Sequence, residues 1–428
     1  MGGIELIPSA DRVITSLRDL GYDFAQAVAD VVDNSISAYA TEIDIDIEFN
    51  GDDSCVAIRD NGHGMTGREL REALRYGSRR DYDTSDLGKF GLGLKTASLS
   101  QCQRLSVASR SKSNRAAISA YTWDLAHIIK SNRWEILPLP VKALPHQIRE
   151  TLQQRPGTVV LWQRLDRILG CKHPYGAVAQ KRLLQMCREI EGHLKMVFHQ
   201  YLAGNVRGKR VNIRLNGNDL RPWDPFCESE KKTRRLPTEI FTIEHEGSRG
   251  TIRIDPFILP AQQEFSTPQA FKDAAGPLGW NLQQGFYFYR AERMIQSGGW
   301  SKVRVPDEHT KLARIAVHFT PELDDAFKIN VAKMRVQLPA QLRDLIEERV
   351  SAIAKLARDA YDRKGERNRG HRPAEAQPTS QTTGGKASAS SRSRERLLSL
   401  KEWGELLLHA AKGTEKKVVM MVLKRISD

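Results

Sequence analysis

No stretch of this 428-residue chain holds the roughly 20 consecutive apolar residues that a membrane-spanning helix requires. The amino end, Met1-Gly2-Gly3-Ile4-Glu5-Leu6, carries neither the basic and apolar segments of a secretion signal nor the hydroxyl residue of a myristoylation motif. No membrane partner is expected. Cysteine is sparse: Cys55, Cys102, Cys171, Cys187 and Cys227 form no C-x-x-C pair, which excludes a zinc ribbon and a disulfide scaffold and leads us to expect a reducing, cytoplasmic compartment. Absent too are a G-x-x-x-x-G-K-[ST] run, a dinucleotide glycine fingerprint, a Ser/His/Asp or Cys/His set, a nuclease motif and an internal repeat; the eleven histidines lack ligand spacing. Acidic residues are in deficit, 52 Asp and Glu against 66 Lys and Arg, for a formal charge of +14. Such a balance favours a polyanionic partner, most simply nucleic acid, because every cation that neutralises a phosphate releases a counterion; a solvated basic surface is the alternative.

What is present gathers in three stretches. Asp60-Asn61-Gly62-His63-Gly64-Met65 follows a strand-like Ser54–Arg59, which places a carboxylate at a strand end among glycines that permit close backbone approach. The run Gly88-Lys89-Phe90-Gly91-Leu92-Gly93-Leu94-Lys95-Thr96 has the composition of an anion loop: glycines let successive amides converge, Lys95 adds a mobile positive charge, and Thr96 opens a helix whose positive end favours phosphate. Upstream, Val28, Val31, Val32, Ile36 and Tyr39 recur at helical spacing over Asp23–Tyr39, with Gln26, Asp30, Asp33, Asn34 and Ser37 on a polar stripe. Asp30 and Asn34 are one turn apart, so an amide oxygen able to ligate Mg²⁺ neighbours a carboxylate able to deprotonate water. A solvated helix face is the alternative reading of that stripe.

The order Asp30-x-x-x-Asn34, Asp60-x-Gly62-x-Gly64, Gly88-x-x-Gly91-x-Gly93-Leu94-Lys95 and Gly157-Thr158-x-Val160 resembles the GHKL ATPases, which include gyrase B subunits, ninety-kilodalton heat-shock chaperones, sensor histidine kinases and MutL proteins. The resemblance implies ATP and Mg²⁺ as ligands. It implies that Asn34 ligates Mg²⁺, that Asp60 accepts from the adenine amino group, and that Gly62, Gly64 and Met65 lie about the base with room made by the glycines. By the same likeness Gly88, Gly91, Gly93, Leu94, Lys95 and Thr96 face the phosphates and Thr158 supports the adenine network. Asp30 falls where hydrolysing members carry a glutamate base. One methylene shorter, it implies slow turnover, because a displacement of about an ångström can cost a large factor in rate.

The fold implied is α+β: a Bergerat-type α/β sandwich over 1–170, its mixed sheet carrying helices on one face, followed by a helix and a transducer-like α/β domain over 171–362. A basic, disordered linker is expected over 363–394 and a helical segment able to dock on a partner over 395–428. Expected elements include strands at Thr41–Phe49, Cys55–Arg59 and Thr158–Leu165, a capped helix at Thr66–Tyr76, a lid at Gly77–Asp86, one long helix at Val178–Leu202, and a strand and hairpin turn at Arg210–Asp219 in the second domain. The second domain is most like that of MORC-type and related bacterial ATPases. In its loop Lys328–Arg335, Lys333 resembles the basic residue that reaches the γ-phosphate, with Arg335 as its substitute.

Three function classes follow: an ATP-gated, dimerising clamp on DNA, within a defence or repair system; a chaperone-like ATPase; and a nucleotide-sensing scaffold with very slow hydrolysis.

Overall fold

Alternation in Glu42–Glu48 buries Ile43, Ile45 and Ile47 and turns the intervening acids outward, which places this strand at the boundary between a helix-covered sheet face and solvent. The computed structural model describes residues 6–19, 21–77, 93–113, 117–168, 173–329 and 336–369, with side chains to 362, all within one compact unit.

Helix α1 (Ala10–Arg18) precedes α2 (Phe24–Ser37), which Asp23 caps by accepting from the Gln26 amide. Strands β1 (Glu42–Glu48) and β2 (Cys55–Asp60) lead to α3 (Gly67–Leu74), opened by a capping box between Thr66 and Glu69. Then come α4 (Gly93–Leu99), β3 (Arg104–Arg110), β4 (Ile118–Asp124), α5 (Leu125–Ser131), β5 (Leu137–Pro138), α6 (His146–Gln154) and β6 (Gly157–Gln163). Helices α7 (Ala177–Val197) and α8 (His199–Ala203) precede β7 (Asn212–Leu215) and β8 (Asn218–Asp219). The eight strands form one mixed sheet in the order β5-β4-β3-β6-β2-β1-β7-β8, antiparallel except where β7 joins β1.

The principal helical layer lies on one face. Successive residues of β6 divide accordingly: Val160 and Trp162 enter the main core, whereas Val159 and Leu161 join a small cluster on the opposite face with Ile148 and Leu152 of α6.

The second sheet, in the order β10-β11-β14-β12-β13 with β9 on β11, is built from β9 (Arg234–Arg235), β10 (Glu239–His245), β11 (Ser248–Ile258), β12 (Gly285–Arg290), β13 (Arg293–Ser297) and β14 (Ala313–Phe319). Helices α9 (Pro268–Ala274) and α10 (Trp280–Gln283) fall between β11 and β12, and α11 (Ala340–Arg369) follows β14. Leu342, Ile346, Val350, Ile353 and Ala357 of α11 recur at helical spacing and bury against Ile252, Ile254, Ile315 and Val317. Every residue of β12 is buried: Phe286 and Phe288 enter that core, while Tyr287 and Tyr289 enter the first core with Phe198, Tyr201 and Phe226. The two sheets are thereby joined through one continuous apolar region.

Three expectations are corrected. Residues 212–219 do not belong to the second sheet; β7 pairs in register with β1, Glu42 opposite Asn212, because the exposed edge of β1 accepts a parallel strand delivered by α7 and α8. The long helix breaks at Phe198 (φ −104°, ψ 17°), which lets both Phe198 and Tyr201 bury. The final helix runs to Arg369, into the stretch expected to lack structure. The lid at Gly77–Asp86 falls almost wholly outside the described residues, as do the last segment 395–428 and the linker beyond 369.

Phe288 has no exposed surface, and truncating such a ring leaves a cavity. Phe288→Ala is expected to lower unfolding free energy by about 3–5 kcal/mol, read from a urea titration with unchanged slope.

Candidate functional site

Helix α2 carries polar side chains into the interior at a density that burial alone would forbid. Asp30 and Asp33 are 3% and 1% exposed, and each has partners. The Tyr22 hydroxyl donates to Asp30 Oδ2 at 3.0 Å, and Gln26 Nε2, one turn earlier, lies 3.4 Å from Oδ1. Burial first, and the Asp30 charge second, push the Tyr22 phenol well above its ordinary range, so it remains a donor. Arg293 of β13 reaches the same helix: its Nε donates to Asp33 Oδ1 at 2.7 Å, and its Nη2 stands 3.8 Å from Asp30 Oδ1. Buried charges persist only when paired in this way.

Asn34 is exposed, one turn beyond Asp30. Its amide nitrogen donates to the Asp30 carbonyl at 2.9 Å, a bond that does not use the amide oxygen. Ser35 turns the other way and donates to Asp60 Oδ2 at 3.0 Å. Asp60 ends β2, opposite Thr158 of β6, and its Oδ1 accepts from the Gly62 amide at 2.9 Å and the Thr158 amide at 3.2 Å. A carboxylate offers about four acceptor positions, so three donors leave it one further bond. Burial raises the Asp60 pKa; the bonds from Gly62, Ser35 and Thr158 oppose that rise. Behind Thr158 the network continues: its hydroxyl lies 2.9 Å from Ser109 Oγ, which accepts from the Met65 amide at 2.8 Å.

The glycines serve this network through the protein's own backbone. A Cβ at Gly64, where φ is +62°, would lie 2.0 Å from the Arg110 carbonyl oxygen, and one at Gly62 would meet Ala38 O at 2.7 Å.

On the far side of Asp30, α4 begins. A Cβ built on Gly93 would lie 3.6 Å from Asp30 Oδ2, so the start of this helix adjoins the carboxylate. Leu94 packs against the main core, and Thr96 is buried with no hydrogen-bond partner for its hydroxyl among the described residues. Lys95 is not a mobile exposed charge: it is 2% exposed and donates to the Ala73 carbonyl at 3.0 Å. Gly88, Gly91 and Lys333 lie outside the described residues.

Asp30, Asn34, Asp60, Gly62, Gly64, Met65, Thr158 and Gly93 are thus brought to one region around α2. Sequence reasoning passed over the roles of Tyr22, Asp33, Ser35, Ser109 and Arg293. Asp33 and Ser35 flank Asn34 and could have been weighed with it. Arg293 gave no signal, because it lies 260 residues from Asp33. No cluster of three or more His, Cys, Asp or Glu side chains suited to a metal occurs among the described residues, and no described helix is long and apolar enough to cross a membrane.

Burial lowers Lys95 to about 8. Between about 8 and the ordinary lysine range the unfolded chain binds the additional proton, so this group's contribution makes stability rise with pH. The wild-type unfolding free energy, measured relative to Lys95→Met, is expected to rise across that window; a pH-independent difference contradicts it.

Residues 22–158 match a family described as histidine kinase-, DNA gyrase B-, and HSP90-like ATPase. The chain is similar to the DNA mismatch repair protein MutL of Klebsiella pneumoniae (strain 342), 27% identical over 219 residues, which is 50% of this chain and 31% of the relative. It is similar also to MutL of Enterobacter sp. (strain 638), 27% identical over 217 residues, and of Escherichia coli (strain SMS-3-5 / SECEC), 28% identical over 217 residues, with the same coverage. The similarity therefore spans about a third of the length of these relatives. Taken with Asp60 bonded to Ser35 of α2 and the glycine-led α4 adjoining Asp30 of the same helix, the match makes residues 22–158 a GHKL-type ATPase domain.

Proposed function

We propose that this protein binds Mg-ATP in the site around α2 and hydrolyses it slowly, and that ATP binding draws the two sheets' units and a second copy of the chain together on DNA. The observation that carries the reading is that a single helix presents Asp30, Asn34 and, through Ser35, Asp60 to three parts of one site. The donor set fits the ligand. Asp60 has one acceptor position left for an amino group, the Asn34 amide oxygen is not used in the bond to the Asp30 carbonyl, and the buried Thr96 hydroxyl lacks a partner among the described residues.

In this reading Asp60 fixes the base, with Ser35, Gly62 and Thr158 holding its carboxylate still. Asn34 holds the cation, which when bound offsets phosphate charge. Asp30 takes a proton from water as the water oxygen attacks the terminal phosphorus; the bond to the bridging oxygen breaks, its electron pair leaves with the diphosphate, and inorganic phosphate is released. Lys333 supplies a cation that favours triphosphate over diphosphate. The formal charge of +14 and the similarity to MutL support DNA as the partner.

One observation favours the slower, scaffold-like alternative: Asp30 is short, buried and held by Tyr22, with Arg293 close by, so its freedom to meet a water is limited.

Purified wild type, Asp30→Asn and Asn34→Ala are to be compared in ATP turnover with and without duplex DNA. Wild type is expected to show slow, DNA-stimulated turnover. Asp30→Asn should keep ATP affinity while turnover falls by about 10²–10⁴-fold, and Asn34→Ala should lose Mg-dependent binding. Unchanged turnover in Asp30→Asn removes Asp30 as the base. Turnover indifferent to DNA at low salt removes the DNA reading.

A further inference from the structure

Arg293 enters the ATPase domain from the second sheet, and the hairpin that carries it is built against its own local preferences. Ala291 and Glu292 form the two-residue turn between β12 and β13, with φ of 47° and 61°. Such turns favour Asn-Gly; alanine and glutamate in the left-handed region are strained, and strain of this kind persists where surrounding structure imposes it. Here the imposing contacts are visible. The Tyr201 hydroxyl donates to the Ala291 carbonyl at 2.6 Å, and Glu292 stands 3.2 Å from His318 Nδ1. The turn is thereby clamped between α8 and β14.

Immediately after this clamp, Arg293 is 1% exposed, with its guanidinium 5.7 Å from the Phe198 ring centre. Nε donates to Asp33, Nη1 lies 3.3 Å from the Met294 carbonyl, and Nη2, with no hydrogen-bond partner among the described residues, faces Asp30 at 3.8 Å. His193 borders the same charges. Burial, with Arg293 as the next cause, lowers His193 to about 4, so it stays neutral near pH 7 and leaves Arg293 as the cation there. If Arg293 served only to neutralise Asp33, one carboxylate would suffice. Its remaining face is turned to Asp30.

We propose that Arg293 is a positioning residue for hydrolysis: clamped in the β12–β13 hairpin and fixed by its bond to Asp33, it holds the Asp30 carboxylate through a direct charge contact, so that the seat of the second sheet sets the reach of the base. This rests on the reading of Asp30 as the base. The physical reason is geometric. A carboxylate on a short side chain must meet a water within hydrogen-bond reach, and a displacement of about 1 Å can cost on the order of 10²-fold in rate. An arginine fork fixes direction as well as charge, which a lysine point charge does not.

The test uses the full chain and single-turnover ATP hydrolysis. Arg293→Lys preserves the buried charge and loses the fork; Arg293→Gln removes both. Arg293→Lys is expected to lower kcat about tenfold while the affinity for a non-hydrolysable Mg-ATP analogue stays within about twofold and the thermal midpoint is retained. In an Asp30→Asn background either substitution should cost no further rate, because the group it positions is already gone. An unchanged kcat in Arg293→Lys, or a parallel fall of kcat, affinity and midpoint, overturns the proposal. Equal fold-losses with and without Asp30 also overturn it, leaving Arg293 a structural residue and Asp30 untouched as base. Full turnover in Asp30→Asn alone overturns the reading beneath it and the proposal together. Should Arg293→Gln fail to fold, the Lys variant carries the test by itself.

Discussion

The contact between Arg293 and the acidic side of α2 is the constraint on which the rest of this structure depends. Asp30 and Asp33 are almost wholly removed from water, and removing either sort of partner from a buried ion pair costs about 3–5 kcal/mol. A helix with this charge pattern cannot be packed against the first sheet on apolar contacts alone. The cation arrives from β13, and its delivery requires the second sheet to be seated against α7 and α8. That seat is made by Tyr287 and Tyr289 of β12, Phe226, Phe198 and Tyr201, which belong to the same core as the helices over the first sheet.

The other end of α2 is governed by hydrogen-bond accounting. Asp60 would be expensive to bury as an unpartnered carboxylate; two backbone amides and the Ser35 hydroxyl satisfy most of it. Ser109 extends this arrangement to Thr158 and the Met65 amide, so the strand ends of β2, β3 and β6 are tied at one corner. The glycines of that corner are required by backbone packing: Gly64 has no space for a side chain against Arg110. The two ends of α2 are therefore supported differently, one by hydrogen bonds to the Asp60 carboxylate on the first sheet and the other by an ion pair reaching the second.

Much of the local structure was legible because its causes are local. Alternation in Glu42–Glu48, the Asp23 cap on α2 and the Thr66–Glu69 capping box each require residues only a few positions apart. The motif order that pointed to a GHKL-type domain is likewise linear. Lys95 was expected to be a mobile charge because its composition of neighbours suggests an anion loop, whereas the fold buries it with its ammonium on the Ala73 carbonyl. The placement of 212–219 was misread because strand identity does not name a partner. Nothing in Asn212–Leu215 indicates that β1 would take it in parallel.

By itself the sequence determined the elements, the helix that bears Asp30 and Asn34, and the strand end that bears Asp60, since caps, periodicity and spacing act over a turn or a strand. Only the tertiary structure decided which charges share the interior. Arg293 meets Asp33 across 260 positions, and Asp60 meets Thr158 across 98, through strand pairing and core burial that no short window encodes. The physical reason is that a buried charge is settled by whatever group the fold brings within a few ångströms. That distance is set by the packing of whole sheets.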